Sequence, residues 1–280
     1  MYPQKLKVGD EIRVIAPSSS LGIISHANMK RAQKRLLALG FKITFGQHVR
    51  EKDSFDSSSI KARISDLHTA FRDTNVRAVL CVIGGYNANQ LLDYLDYNLI
   101  RRNPKIFCGY SDITVLTNAI CSRSGLVTYS GPSFSSFAMK RGFDYSLEYF
   151  LKCLISIKPF IVRPSLRWSD DIWHKNQSKR TFVRNRGPWS LRRGTARGKI
   201  VGGNLCTFNL LQGTKHMPSL RNTILFIEED DLVKGAAFAK EFGRNLQSFA
   251  QQPGFRHVRG LVFGRFQKKC LMTDEKLRTL

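Results

Sequence analysis

The feature that most constrains this chain is the regular exchange of two hydrophobic periods across its first 130 residues. Short apolar runs ending in Gly, Pro or Ser alternate with segments whose apolar positions recur every three or four residues. "EIRVIAPSS" reads as a strand ending in a Pro-Ser turn, and "SHANMKRAQKRLLALG" then puts Met29, Ala32, Leu36 and Leu39 on one helix face before Gly40. "FKITFG", "VRAVLCVIGG", "KIFCG" and "LVTYSG" repeat the strand signal. Between them, "SSSIKARISDLHTAFRD", "NANQLLDYLDYNLIRRN" and "DITVLTNAICSRSG" read as helices, the last closed by Gly125. Near-continuous apolar strands separated by helices predict a parallel sheet covered on both faces, a flavodoxin- or Rossmann-like α/β domain.

After about residue 150 the pattern changes. "ISIKPFIVRPSLRWSDDIWHKNQSKR" carries Pro, Trp and charge without a period, as a linker or long loop does. Beyond it, "ARGKIVGGNLCTFNLLQGT", "NTILFIEEDD" and "GFRHVRGLVFGRF" supply strand-like runs, with helices expected near Leu205–Leu211 and in "AKEFGRNLQSFAQQ". The expected organisation is an N-terminal α/β domain over 1–155, a linker over 156–194, and a smaller β-rich α/β domain over 195–280.

Several function classes lose support early. No G-x-G-x-x-G follows the first strand and no G-x-x-x-x-G-K-[ST] occurs, so the usual phosphate-binding fingerprints are missing. The six cysteines are scattered, with no C-x-x-C pair and no histidine cluster at metal-ligand spacing, which predicts reduced, buried thiols; no cofactor is expected. No apolar run approaches the roughly 20 residues of a membrane span, and the N-terminus has no signal-type apolar core, so a cytoplasmic location is expected. The net charge of +24 is concentrated between Lys140 and Lys199, with 15 basic and 4 acidic residues. Such a stripe, with Phe182 and Trp189 interleaved, could follow a phosphate backbone, but no nucleic-acid motif accompanies it and a solvated loop is the preferred reading.

In open α/β sheets ligands gather at the carboxyl ends of the strands, which here are the loops "APSSS", "GGYNAN" and "GYSD". Ser111 lies where a strand hands over to a helix, and two uses fit it. One is an N-cap, the hydroxyl accepting from a first-turn N–H. The other is a nucleophile on a sharp turn, with the following backbone N–H stabilising an oxyanion. Gly84 and Gly85 likewise make either a simple tight turn or a backbone brought close to substrate. Glu228, at the end of "LFIE", is either part of a solvated acidic turn or weak cation site, or the carboxylate that orients a histidine.

Taken together, "GGYNANQLLDYLDYNLIRRNPKIFCGYSDITVLTNAI", "GLVTYSGP", "GGNL" with "LLQGT", "LFIEED" and "GLVFGRF" resemble the serine peptidase family of LD-carboxypeptidases and microcin C self-immunity peptidases. "WSDDIW" and "QPGFRHVRGLVFGRFQK" look closer to the microcin-immunity branch. The resemblance implies a parallel N-terminal domain, a β-rich C-terminal domain, a homodimer, no metal, and a Ser-His-Glu triad in the chain order Ser, Glu, His. Carried over, Ser111 is the nucleophile, Glu228 the acid, and the N–H groups of Gly85 and Asp112 the oxyanion hole. It also implies a small peptide or peptidyl-nucleotide-like substrate, cleaved near its terminus through an acyl-enzyme.

The histidine departs from the pattern. The family carries it in a Gly-His motif well after the "GRF" strand, and the histidines here are His26, His48, His68, His174, His216 and His257. His257 lies between Glu228 and the end but outside a Gly-His motif, and reads as structural or exposed. The expectation is therefore a chain truncated within its C-terminal domain and lacking the triad base. Its alternative function is that of a catalytically dead homologue that only binds ligand.

Overall fold

The computed structural model describes all residues 1–280 and separates into two compact units, Met1–Gly187 and Pro188–Leu280. In the first, β1 (Glu11–Ile15), α1 (His26–Ala38), β2 (Lys42–Phe45), α2 (Ile60–Arg72), β3 (Val76–Cys81), α3 (Tyr97–Arg102), β4 (Ile106–Gly109), α4 (Thr114–Ser124), β5 (Tyr129–Ser130) and α5 (Asp144–Ile155) follow in order. The five strands form one sheet in the order β2-β1-β3-β4-β5, every neighbour parallel. The expected α/β architecture is the observed one.

Both faces of the sheet are buried at β3 and β4, which is why these strands read as near-continuous apolar runs. Ala78 and Leu80 of β3 join Val14, Ile106, Phe134 and Phe137 in one core, under α1 and α5. Val79 and Cys81 are equally buried on the opposite face, where Phe71 of α2 stacks on Phe107 of β4 at 6.4 Å. Serine caps start two helices where the sequence places them: Ser25 accepts from Asn28 N–H, and Ser59 from Ala62 N–H. Gly125 ends α4 in the left-handed region at φ 76°.

Two elements differ from expectation. The helix read through "NANQLLDYLDYNLIRRN" is a 3-10 stretch, Ala88–Tyr94, followed by the short α3. The break comes at Leu95–Asp96, where Asp96 leaves the helical path to cap Leu99 N–H. The fifth strand shrinks to two residues because Val127 pairs with Met1 and Thr128 turns its hydroxyl to Thr117. Residues 156–187 group with the first unit and contain a two-stranded antiparallel ladder, β6 (Arg167–Trp168) with β7 (Val183–Arg184).

The second unit is a three-stranded parallel sheet ordered β10-β9-β8, built from β8 (Lys199–Asn204), β9 (Thr223–Glu228) and β10 (Gly260–Phe263). Its helices are α6 (Leu205–Asn209), α7 (Ala236–Ala250) and α8 (Asp274–Thr279). α7 buries Phe238, Phe242 and Phe249, and Phe249 stacks on Phe208 of α6 at 4.6 Å.

Candidate active site

In the first unit, the carboxyl ends of β1, β3 and β4 converge, as the parallel topology requires. Ser111 stands two residues past the end of β4, with φ 63°, a left-handed conformation that costs a non-glycine residue about 1–3 kcal/mol. The capping alternative does not hold. No side chain caps the 3-10 turn Ser111–Ile113 or α4, and the Ser111 hydroxyl has no hydrogen-bond partner. A strained, half-buried hydroxyl released from capping is available for chemistry.

The glycines are required by close approach. A Cβ on Gly84 would stand 2.8 Å from Ser111 Cβ and 2.9 Å from its Oγ, so the β3 loop passes directly against the serine. A Cβ on Gly85 would collide with the hydroxyls of Ser18 and Ser19. Asp112 is 2% exposed, and its Oδ2 accepts from Ser18 Oγ at 2.6 Å and Ala88 N–H at 2.8 Å. Beyond Gly85 the loop borders a cavity of about 420 Å³, lined among others by Phe55, Arg63, Tyr86 and Asn87.

In the second unit, β9 ends at Glu228, opposite Asn204 of β8 in the parallel register. A Cβ on Gly264, just past β10, would lie 2.8 Å from Glu228 Cβ. Burial pushes the Glu228 carboxyl up to about 7, and the charges of Glu229 and Asp230 add to the shift. Glu229 is also raised, first by burial, and accepts from Cys206 N–H and Asn204 Nδ2. Cys206, Glu229 and Asp230 bring possible ligand atoms within 4.8 Å of one another. However, burial and the two carboxylates push the Cys206 thiol up to about 12, and Asn204 Nδ2 already bonds both acids, so the group is arranged as a hydrogen-bond network.

None of the six histidines bonds the Ser111 hydroxyl. His48 pairs with Glu51, His68 Nε2 accepts from Asp96 N–H, and His216 is buried beside Thr214. His257 is held low by Arg221, by burial and by Arg256. The sequence points to the "APSSS" loop but to no single serine within it, and Arg63 lies outside the strand-end loops. For Arg63 a signal exists, a charge set between Ile60, Ile64 and Leu67 on the apolar face of α2.

Residues 12–131 match the LD-carboxypeptidase N-terminal domain, and residues 197–279 match the LD-carboxypeptidase C-terminal domain. YocD of Bacillus subtilis, provisionally named a carboxypeptidase, is 52% identical over 280 residues, 100% of this chain and 85% of that protein. The chain belongs to the LD-carboxypeptidase family. Among solved structures, an MccF-like protein of Bacillus anthracis superposes with TM-score 0.98 at 55% identity, over 100% of this chain and 84% of that one. Microcin C7 self-immunity protein MccF, in a complex with aspartyl sulfamoyl adenosine, gives 0.88 at 28% identity, over 100% and 85%. No helix in this LD-carboxypeptidase family member is long and apolar enough to cross a membrane.

Proposed function

We propose that this chain is a serine-type carboxypeptidase of the MccF-like kind, acting on a small peptide or a peptidyl-nucleotide-like amide through an acyl-enzyme. The observation that carries the reading is Ser111, a left-handed residue whose hydroxyl caps no helix, pressed against the Gly84 backbone. Ser111 Oγ attacks the scissile carbonyl carbon, and the N–H groups of Gly85 and Asp112 stabilise the oxyanion. A general base of the kind a triad acid such as Glu228 would orient has to take the serine proton and return it to the departing amine; water completes the cycle by hydrolysing the ester. None of the six histidines is assigned that role. The nucleophile belongs to an N-terminal domain and the acid to a C-terminal one, and the reading includes a cytoplasmic homodimer with no metal.

Turnover of an L,D-linked murein tetrapeptide and of an aspartyl sulfamoyl adenosine tests it, with mass spectrometry for the acyl-enzyme. Ser111→Ala is expected to lower kcat by about 10³-fold or more with an unchanged melting temperature. Retained turnover in that variant would remove the assignment. The second reading, a homologue that binds without cleaving, is favoured by the lack of any histidine bonded to Ser111. It predicts calorimetric binding of both compounds with neither turnover nor an acyl adduct.

A further inference from the structure

The loops after β1 and β3 are gripped at adjacent residues by two buried charges of opposite sign. Arg63, 3% exposed, reaches from α2 and donates from Nη1 to the carbonyls of Pro17 at 3.3 Å and Asn87 at 3.0 Å. The same nitrogen also donates to Asn87 Oδ1, and Nη2 donates to Gln90 Oε1 at 2.6 Å. One residue further along each loop, the Asp112 carboxylate accepts from Ser18 Oγ and Ala88 N–H. The cation therefore holds residues 17 and 87, and the anion holds residues 18 and 88. Gly85 is carried on the clamped β3 loop, and Asp112 is the covalent neighbour of Ser111.

A buried arginine with no carboxylate within ion-pair distance is expensive unless its fork is filled, and here it is filled almost entirely by backbone and amide oxygens of these loops. Only Nε, itself buried, is without a partner. We propose that Arg63 and the Asp112 carboxylate are positioning residues, a two-sided clamp that fixes the Gly85 N–H relative to Ser111 Oγ. This rests on the serine-hydrolase reading above. Misplacing a catalytic group by about 1 Å costs on the order of 10²-fold, so the clamp acts on kcat, with substrate affinity nearly untouched.

The test uses Arg63→Ala and Ser18→Ala in the full chain, with Ser111→Ala alongside, assayed by hydrolysis of the L,D-tetrapeptide and by amide hydrogen exchange over residues 84–88. Arg63→Ala is expected to lower kcat about 10²-fold and Ser18→Ala about 10-fold, with KM within about threefold and faster exchange in the loop. Because Arg63 lines the cavity beside the loop, millimolar methylguanidinium is expected to restore part of the lost kcat in Arg63→Ala. Ser18→Ala carries the test alone if Arg63→Ala does not fold. Unchanged kcat in folded Ser18→Ala, or a loss in Arg63→Ala that appears in KM and ignores methylguanidinium, overturns the clamp. Turnover retained by Ser111→Ala overturns the hydrolase reading instead, and the exchange data then still report whether the two charges hold the loop.

Discussion

Ser111 and Glu228 share a physical property: each is kept in a state that the isolated residue would avoid. Ser111 holds a left-handed backbone, and Glu228 carries a carboxyl raised from 4.5 to about 7, first by burial and then by its acidic neighbours. The second has a pH signature whose sign can be worked out. Between those two values the native state keeps a proton that the unfolded chain has released. Stability therefore falls as pH rises from about 4.5 to about 7, and the ionised form is penalised by about 3 kcal/mol above that window. Glu228→Gln is expected to match the parent's melting temperature at pH 5 and exceed it at pH 8, measured by differential scanning calorimetry. An equal difference at both pH values would show that the carboxyl is not raised. The types of these two residues were readable from "GYSD" and "LFIEED", whereas the strain at one and the desolvation at the other come from neighbours distant in sequence.

At the scale of elements, the parallel strands follow from composition, and their exact ends from local contacts. β3 and β4 were legible because both faces are buried and every residue but Arg77 is free of a polar side chain. The helix read through residues 87–103 was not, because the period of its apolar residues continues across the point where Asp96 caps the next turn. β8 shows a demand the alphabet does state: Gly202 has φ 119°, and a Cβ there would run into the Phe226 carbonyl of the neighbouring strand. Gly202→Ala is expected to destabilise the second unit by about 2 kcal/mol, read from urea unfolding followed at Trp189 in that unit. No change in midpoint would mean that the two strands can separate at that point without cost.

For the whole molecule, the division into two units leaves Pro188–Gly198 exposed and without helix or strand, with Arg192, Arg193 and Arg197 inside it. Limited trypsin digestion is expected to cut there before it cuts the five-stranded sheet, giving two fragments resolved by mass spectrometry; earlier cleavage within residues 60–130 would contradict the packing described. By itself the sequence determined the α/β class, the parallel sheet, the family and the residue types at the strand ends, because periodicity and short motifs are properties of neighbours along the chain. Only the tertiary structure decided that Ser111 is no cap, that Gly84 presses against it, and that Arg63 and Asp112 both bond the loops after β1 and β3. Those facts depend on side chains that are 24 to 94 residues apart in the chain and meet only after the strands align, so no local pattern encodes them.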